Sequence, residues 1–103
     1  MYNLAYLPVA LKDMVDIVRY ISEELHNPTA AERLSAKLIS TGESIAIFPY
    51  SHPAYNPIRP LKHEYRKMPV QNYLIFYWVD EEKKSVTVAR VIYQKRNYKA
   101  MLK

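Results

Sequence analysis

Cations gather near the end of this chain: Lys62, Arg66, Lys67, Arg90, Lys95, Arg96 and Lys99. They are interleaved with His63, Glu64, Tyr93 and Tyr98. Cations beside tyrosines and a histidine hold the parts for metal-free phosphodiester cleavage. That reaction needs positive charge to stabilise the phosphorane, a base for the 2′-hydroxyl and an acid for the leaving oxygen. His63, Glu64, Tyr93 and Tyr98 can each be nominated as base or acid, although nothing in their spacing compels it. The same set also describes a basic, aromatic surface offered to an acidic protein. From Ser85 a β-branched run hands over to a tail that contains no acidic residue.

Other chemistries lack their parts. There is no cysteine, hence no thiolate, disulfide or cysteine-based zinc site. The single glycine, Gly42, rules out a phosphate-cradling loop. The serines have no nucleophile-elbow context. His26, His52 and His63 lie far apart in sequence and read as ordinary surface histidines. We therefore expect no metal and no cofactor.

Charge is unevenly spread. Residues 1–58 carry four Lys/Arg and six Asp/Glu, a balance of −2, whereas residues 59–103 carry eleven against four, a balance of +7. A basic half favours a polyanion or an acidic protein through electrostatic steering. The plainer alternative is a solvated face that keeps the protein soluble. No stretch approaches membrane-spanning length and the N-terminus lacks a leader pattern, so a cytoplasmic location is expected.

The 103 residues suit one domain, 1–103. Tyr2 to Leu7 reads as an opening strand ended by Pro8. Leu11, Met14, Val15, Val18, Ile21 and Leu25 recur at spacings of three and four, which predicts a helix from Pro8 to Leu25. Asn27-Pro28 supplies an N-cap and a first helical residue. Ala31, Leu34, Leu38, Ile45 and Phe48 then stripe a second helix that Pro49 ends. Gly42 inside it suggests a close approach of the two helices. Pro49, Pro53, Pro57 and Pro60 make a stiff connector.

Three strands follow: Glu64 to Val70, Tyr73 to Val79, and Ser85 to Tyr93. In the middle one Tyr73, Ile75, Tyr77 and Val79 share one face, while Leu74, Phe76 and Trp78 share the other. Both faces are apolar, so this strand should be central and covered twice. Alternation places Glu64, Arg66 and Met68 opposite Tyr65 and Lys67. It also groups Val86, Val88, Arg90 and Ile92, so Arg90 is either paired with a carboxylate, the favoured reading, or aimed at a ligand. The expected fold is α+β in the order β-α-α-β-β-β, a helix hairpin on a small antiparallel sheet. A helical turn is expected between Asn97 and Leu102.

In this order the chain resembles the RelE/ParE superfamily of bacterial type II toxins. The resemblance is carried by the opening strand Tyr2–Tyr6, the helix hairpin closing on Ala46-Ile47-Phe48-Pro49, and Tyr65-Arg66-Lys67. It continues through Asn72-Tyr73-Leu74-Ile75-Phe76-Tyr77 and ends in Arg90-Val91-Ile92-Tyr93-Gln94-Lys95-Arg96-Asn97. It implies a toxin of a toxin–antitoxin system, one that restrains growth, stabilises plasmids and is held inactive by a cognate antitoxin. Operator DNA would be bound through the antitoxin alone.

The superfamily divides by target. RelE-like and YoeB-like members cut mRNA on the ribosome, whereas ParE-like members poison DNA gyrase. The ribonuclease branch usually carries a catalytic arginine where this chain has Leu74. Losing such a group costs about a hundredfold in rate. The resemblance therefore favours the ParE-like branch, with Lys95, Arg96, Tyr98 and Lys99 as target-binding residues and Arg90 structural. The ribonuclease alternative, acting on ribosome and mRNA, would use Lys62, Arg66, Tyr93, Lys95 and Arg96. A third reading is a decayed homologue that binds antitoxin and poisons nothing. The antitoxin-binding residues are not legible in the sequence.

Overall fold

A computed structural model describes residues 1–55 and 61–102. Pro57 and Pro60 of the expected stiff connector lie outside the described residues. The elements are β1 (Asn3–Tyr6), α1 (Pro8–Arg19), a wide π-turn (Tyr20–Glu24) and α2 (Pro28–Ile47), followed by β2 (Arg66–Val70), β3 (Tyr73–Asp80) and β4 (Ser85–Tyr93). A short 3₁₀ turn spans Tyr98–Ala100.

Local chemistry explains the helix ends. Pro8 and Pro28 occupy first-turn positions, where a missing N–H costs nothing. The Asn27 side chain accepts the Ala30 N–H at 3.1 Å, the cap that the sequence implied. The first helix does not run regularly to Leu25. After Arg19 its turns widen, and the Leu25 N–H donates to the Tyr20 carbonyl five residues back.

The sheet order is β1-β4-β3-β2. The last three strands form the expected antiparallel meander, with β3 inside it. β1 joins the far side of β4 in parallel register, Asn3 opposite Ser85 and Tyr6 opposite Val88, so the sheet is mixed. A parallel neighbour needs a crossover, and the helix hairpin supplies it.

Both faces of the sheet are covered, as the two apolar stripes of β3 required. On one face Ile75, Tyr77, Val86, Val88 and Val91 pack under Ala10, Leu34, Leu38 and Ile45. The opposite face holds Leu74, Phe76, Ala89 and Ile92 with Tyr65 and Leu102. Buried Tyr77 donates its hydroxyl to the Pro49 carbonyl at 2.8 Å, which ties the end of α2 to β3. The apolar stripe of α1 is wider than the sheet can cover: Leu11 and Val15 stay about half exposed.

Strict alternation fails in β4. The register slips so that Phe76 faces Arg90 and Tyr77 faces Val88, leaving Ala89 as the extra residue of a bulge. Val86 and Val88 therefore lie under the helices, while Ile92 joins the other face. At the bulge Arg90 meets Asp13 of α1. Arg90 Nε lies 2.8 Å from Asp13 Oδ2, and Arg90 Nη2 lies 2.9 Å from Oδ1. The Val91 N–H also donates to Oδ2, at 3.0 Å. Arg90 is thus paired and structural, and the hydrogen bond to Asp13 raises its pKa further.

Gly42 does not serve helix–helix contact. A Cβ there would overlap the Tyr6 hydroxyl and sit 3.6 Å from Leu4, both on β1. The glycine lets α2 cross closely over the opening strand.

Two stability predictions follow from these contacts. Asp13→Ala strands a mostly buried guanidinium and an edge N–H, and should cost about 2–3 kcal/mol in urea unfolding. Breaking the exposed Lys12–Asp16 pair with Asp16→Asn should leave the urea midpoint nearly unchanged. Equal effects would contradict the structural weight given to Asp13. Gly42→Ala should cost roughly 1–2 kcal/mol net, overpacking outweighing the gain in helix propensity. In a Tyr6→Phe background the clash is gone, and the same change should stabilise by up to about 1 kcal/mol.

Candidate functional site

The face of the sheet away from the helices holds Leu74, the position where the resemblance puts the arginine of a ribonuclease. Its centre is apolar. Leu74 is 7% exposed and packs with Phe76, Ile92 and Leu102. The tail reaches this face by two turns. The Gln94 N–H donates to the Asn72 carbonyl at 2.9 Å, and the Arg96 N–H to the Tyr93 carbonyl at 2.9 Å. The chain then folds back, and Leu102 is 1% exposed. Tyr98, one of the expected target-binding residues, is half-buried and lays its ring 5.3 Å from that of Phe76. Lys67 covers the rings of Tyr55 and Tyr98 at 5.5 and 6.0 Å.

At one margin of this face His63 stacks on Trp78, with ring centroids 3.7 Å apart and planes 7° from parallel. Burial, then the Lys62 charge, lowers the pKa of His63. Among the described residues, no group of three or more His, Asp or Glu could hold a metal ion.

The nominated nuclease residues do not converge. Lys62 is exposed beside His63. Arg66 faces Tyr77 across β2 and β3, whereas Tyr93 faces Tyr73 from the other side of β3. The offset along β3 alone is four residues, roughly 13 Å. The Arg66 guanidinium is occupied as well. It donates to the His52 carbonyl at 2.6 Å, reaches Glu64 at 3.4 Å and lies 4.9 Å from the Tyr50 ring centroid. Lys95, Arg96 and Lys99 are exposed. Tyr93 and Arg96 border a groove that also reaches the π-turn and α2.

A family model described as the ParE toxin of the type II toxin–antitoxin system parDE matches residues 4–98. The chain belongs to this ParE toxin family. Solved structures share its fold. A chain of the chromosomal ParDE TA system from P. aeruginosa aligns over 90% of this chain and 96% of its own, with TM-score 0.72 and 14% identity. A RelBE toxin–antitoxin complex of Mycobacterium tuberculosis aligns over 89% and 96%, with TM-score 0.64 and 16% identity. The isolated RelE toxin of E. coli aligns over 94% and 88%, with TM-score 0.53 and 24% identity. No curated protein matches the chain by sequence.

Sequence reasoning missed one cluster in this ParE-family chain. Glu81, in the turn between β3 and β4, accepts hydrogen bonds from Tyr50 and Tyr2 and from Lys84. Tyr2 and Tyr50 pack edge to face, 6.4 Å apart. Four positions spread from 2 to 84 leave no local pattern, so no sequence signal pointed to it. The hydrogen bonds from Lys84, Tyr50 and Tyr2, in that order, push the Glu81 carboxyl down to about 2. The Tyr50 phenol, bonded to that carboxylate and partly desolvated, is pushed up to about 12. The cluster clips the end of α2 and the N-terminus to the β3–β4 turn.

A carboxyl lowered on folding lends stability above its unfolded pKa, and that stability is lost as pH falls through the folded value. Here the window runs from 4.5 down to about 2. Glu81→Gln should flatten the pH dependence of unfolding in that window. It should also return the Tyr50 titration, followed by phenolate absorbance, toward 10. An unchanged Tyr50 titration in the variant would break the link between the two groups.

Proposed function

We infer that this ParE-family chain acts by binding a protein target, DNA gyrase, with no bond chemistry of its own. A cognate antitoxin neutralises it in the cytoplasm, and operator DNA is met through that antitoxin. One observation carries the reading: Leu74, where the ribonuclease branch usually has an arginine, is sealed in an apolar cluster under Leu102. A developing phosphorane charge would find hydrocarbon there, not a cation. The tail keeps Lys95, Arg96 and Lys99 exposed, which suits an acidic protein surface. The toxin–antitoxin complexes among its structural relatives support an antitoxin partner.

The ribosome-dependent endoribonuclease reading needs Arg66, Tyr93 and the tail cations at one phosphate. Arg66 is engaged with a carbonyl and a ring, and Tyr93 stands beyond β3. No observation in the structure favours that reading.

Brief expression in cells distinguishes the readings. Plasmid supercoiling should fall while ribosome-associated mRNA ends stay unchanged. Codon-phased cuts with normal supercoiling would sink the gyrase proposal. Normal growth with neither change would identify a decayed toxin. The Lys95→Glu/Arg96→Glu variant should lose growth inhibition while its unfolding free energy moves by under about 1 kcal/mol, two surface changes together.

A further inference from the structure

The end of α2 leaves three large apolar side chains in solvent: Ile47 is 47% exposed, Phe48 65% and Tyr50 50%. The stripe through Leu34, Leu38 and Ile45 would carry Phe48 into the core. Phe48 instead leaves the helix at φ −129° and ψ 70°, and its ring stays outside. The backbone here is held from several directions. The Phe48 N–H donates to the Ser44 carbonyl at 3.0 Å, and the Ser51 N–H and hydroxyl donate to the Phe48 carbonyl at 3.2 and 2.9 Å. Tyr77 grips the Pro49 carbonyl and Arg66 grips that of His52. The Tyr50 ring meets Tyr2 edge to face and lies under the Arg66 guanidinium. A fixed loop that projects an aromatic ring into water has the form of an interface anchor, because little freedom is lost when it binds.

The charges around this corner answer one another. Glu81 accepts from Tyr2, Tyr50 and Lys84, and the Arg66 guanidinium is spent on His52, Glu64 and Tyr50. Residues 80–84 hold three carboxylates and two ammonium groups, a balance of −1. A strongly charged partner gains little here, and the complement the corner asks for is apolar and near neutral. The chain carries such a surface in the corner itself. The cations that would oppose self-association lie at the far end of the sheet. Lys95, Arg96 and Lys99 follow the hydrogen bond from Gln94 to Asn72, beside the start of β3, whereas Tyr50 is tied to Glu81 just past its end. Seven residue steps of β3 separate the two ends, roughly 23 Å. Two copies joined at the corner keep both basic tails apart and in solvent.

We propose that this corner is the interface of a two-fold homodimer, in which the Phe48 ring of each copy packs on Ile47 and Tyr50 of the other and the axis passes beside residue 48. Such an interface is isologous, so it closes at two copies and adds no third. It is also small. A standard interface buries about 800 Å² per partner, and these side chains supply only its apolar centre. The dimer is therefore weak and concentration-dependent. It presents two basic tails at once, so a target with two sites is held more tightly without any new contact. The test needs neither gyrase nor antitoxin, so the dimer and the gyrase reading fail separately.

Sedimentation equilibrium of the purified chain should show the mass rising from 12.2 kDa toward twice that value as concentration increases. Phe48→Glu should weaken association at least about tenfold, with an unchanged circular dichroism spectrum, because the ring faces solvent in the monomer. Lys95→Glu/Arg96→Glu should not weaken it. Added salt should leave association intact or strengthen it, since screening acts on the repulsion between basic tails. The chain has no cysteine, so Ser44→Cys introduces a single thiol on the exposed turn before Phe48. A short bis-maleimide should couple two Ser44→Cys chains and leave Tyr93→Cys chains single at the same concentration. A monomer at every concentration, a dimer indifferent to Phe48→Glu, or growth beyond two copies would overturn the proposal. So would association that salt abolishes, or coupling through Tyr93→Cys in place of Ser44→Cys.

Discussion

The carboxylate of Asp13 holds the two layers of this protein in register. It sits where β1 has ended and β4 continues alone. β1 pairs with β4 only as far as Val88, and the Leu7 N–H closes on the Val88 carbonyl. Beyond that point the edge of β4 would face α1 with unmet backbone groups, a costly arrangement for a half-buried strand. Asp13 accepts the Val91 N–H and the Nε and Nη2 donors of Arg90. One helical side chain thus replaces a missing strand. The Ala89 bulge and the place of α1 over β4 are fixed together. The π-turn and the groove beside it follow, because both continue from α1.

The bulge also decides what the opposite face can be. By shifting the alternation it sends Ile92 to join Leu74 and Phe76. The tail then closes over them through Tyr98 and Leu102. A site that would hold a phosphate needs converging, solvated cations. This face has aromatic rings with Lys67 lying across two of them. Lys95, Arg96 and Lys99 lie exposed at the surface. This layout is what supports the proposed recognition by contact.

Much of the fold was legible in local chemistry. The Asn27-Pro28 cap, the end of the second helix at Pro49 and the two-faced character of β3 come from rules spanning a few residues. For Arg90 the sequence favoured a carboxylate partner over a ligand, but the partner's identity was not legible, since Asp13 lies 77 positions away. The bulge was hidden because Val88-Ala89-Arg90-Val91 fits an unbroken alternation equally well. The parallel place of β1 depends on which sheet edge the crossover reaches, and four residues do not encode that. Gly42 was correctly read as a close approach and assigned the wrong neighbour, because the partner, Tyr6, is set by tertiary packing. The groove joins residues from 16 to 96, so only the folded chain displays it.

The proposal is that this ParE-family chain poisons by contact and leaves RNA intact. Purified gyrase, relaxed plasmid and a stoichiometric excess of the chain test it most directly. Read on an agarose gel, ATP-dependent supercoiling should be inhibited, and the same preparation should leave mRNA on programmed ribosomes uncut. Full supercoiling in the presence of the chain, with cleavage of that mRNA, would contradict the account.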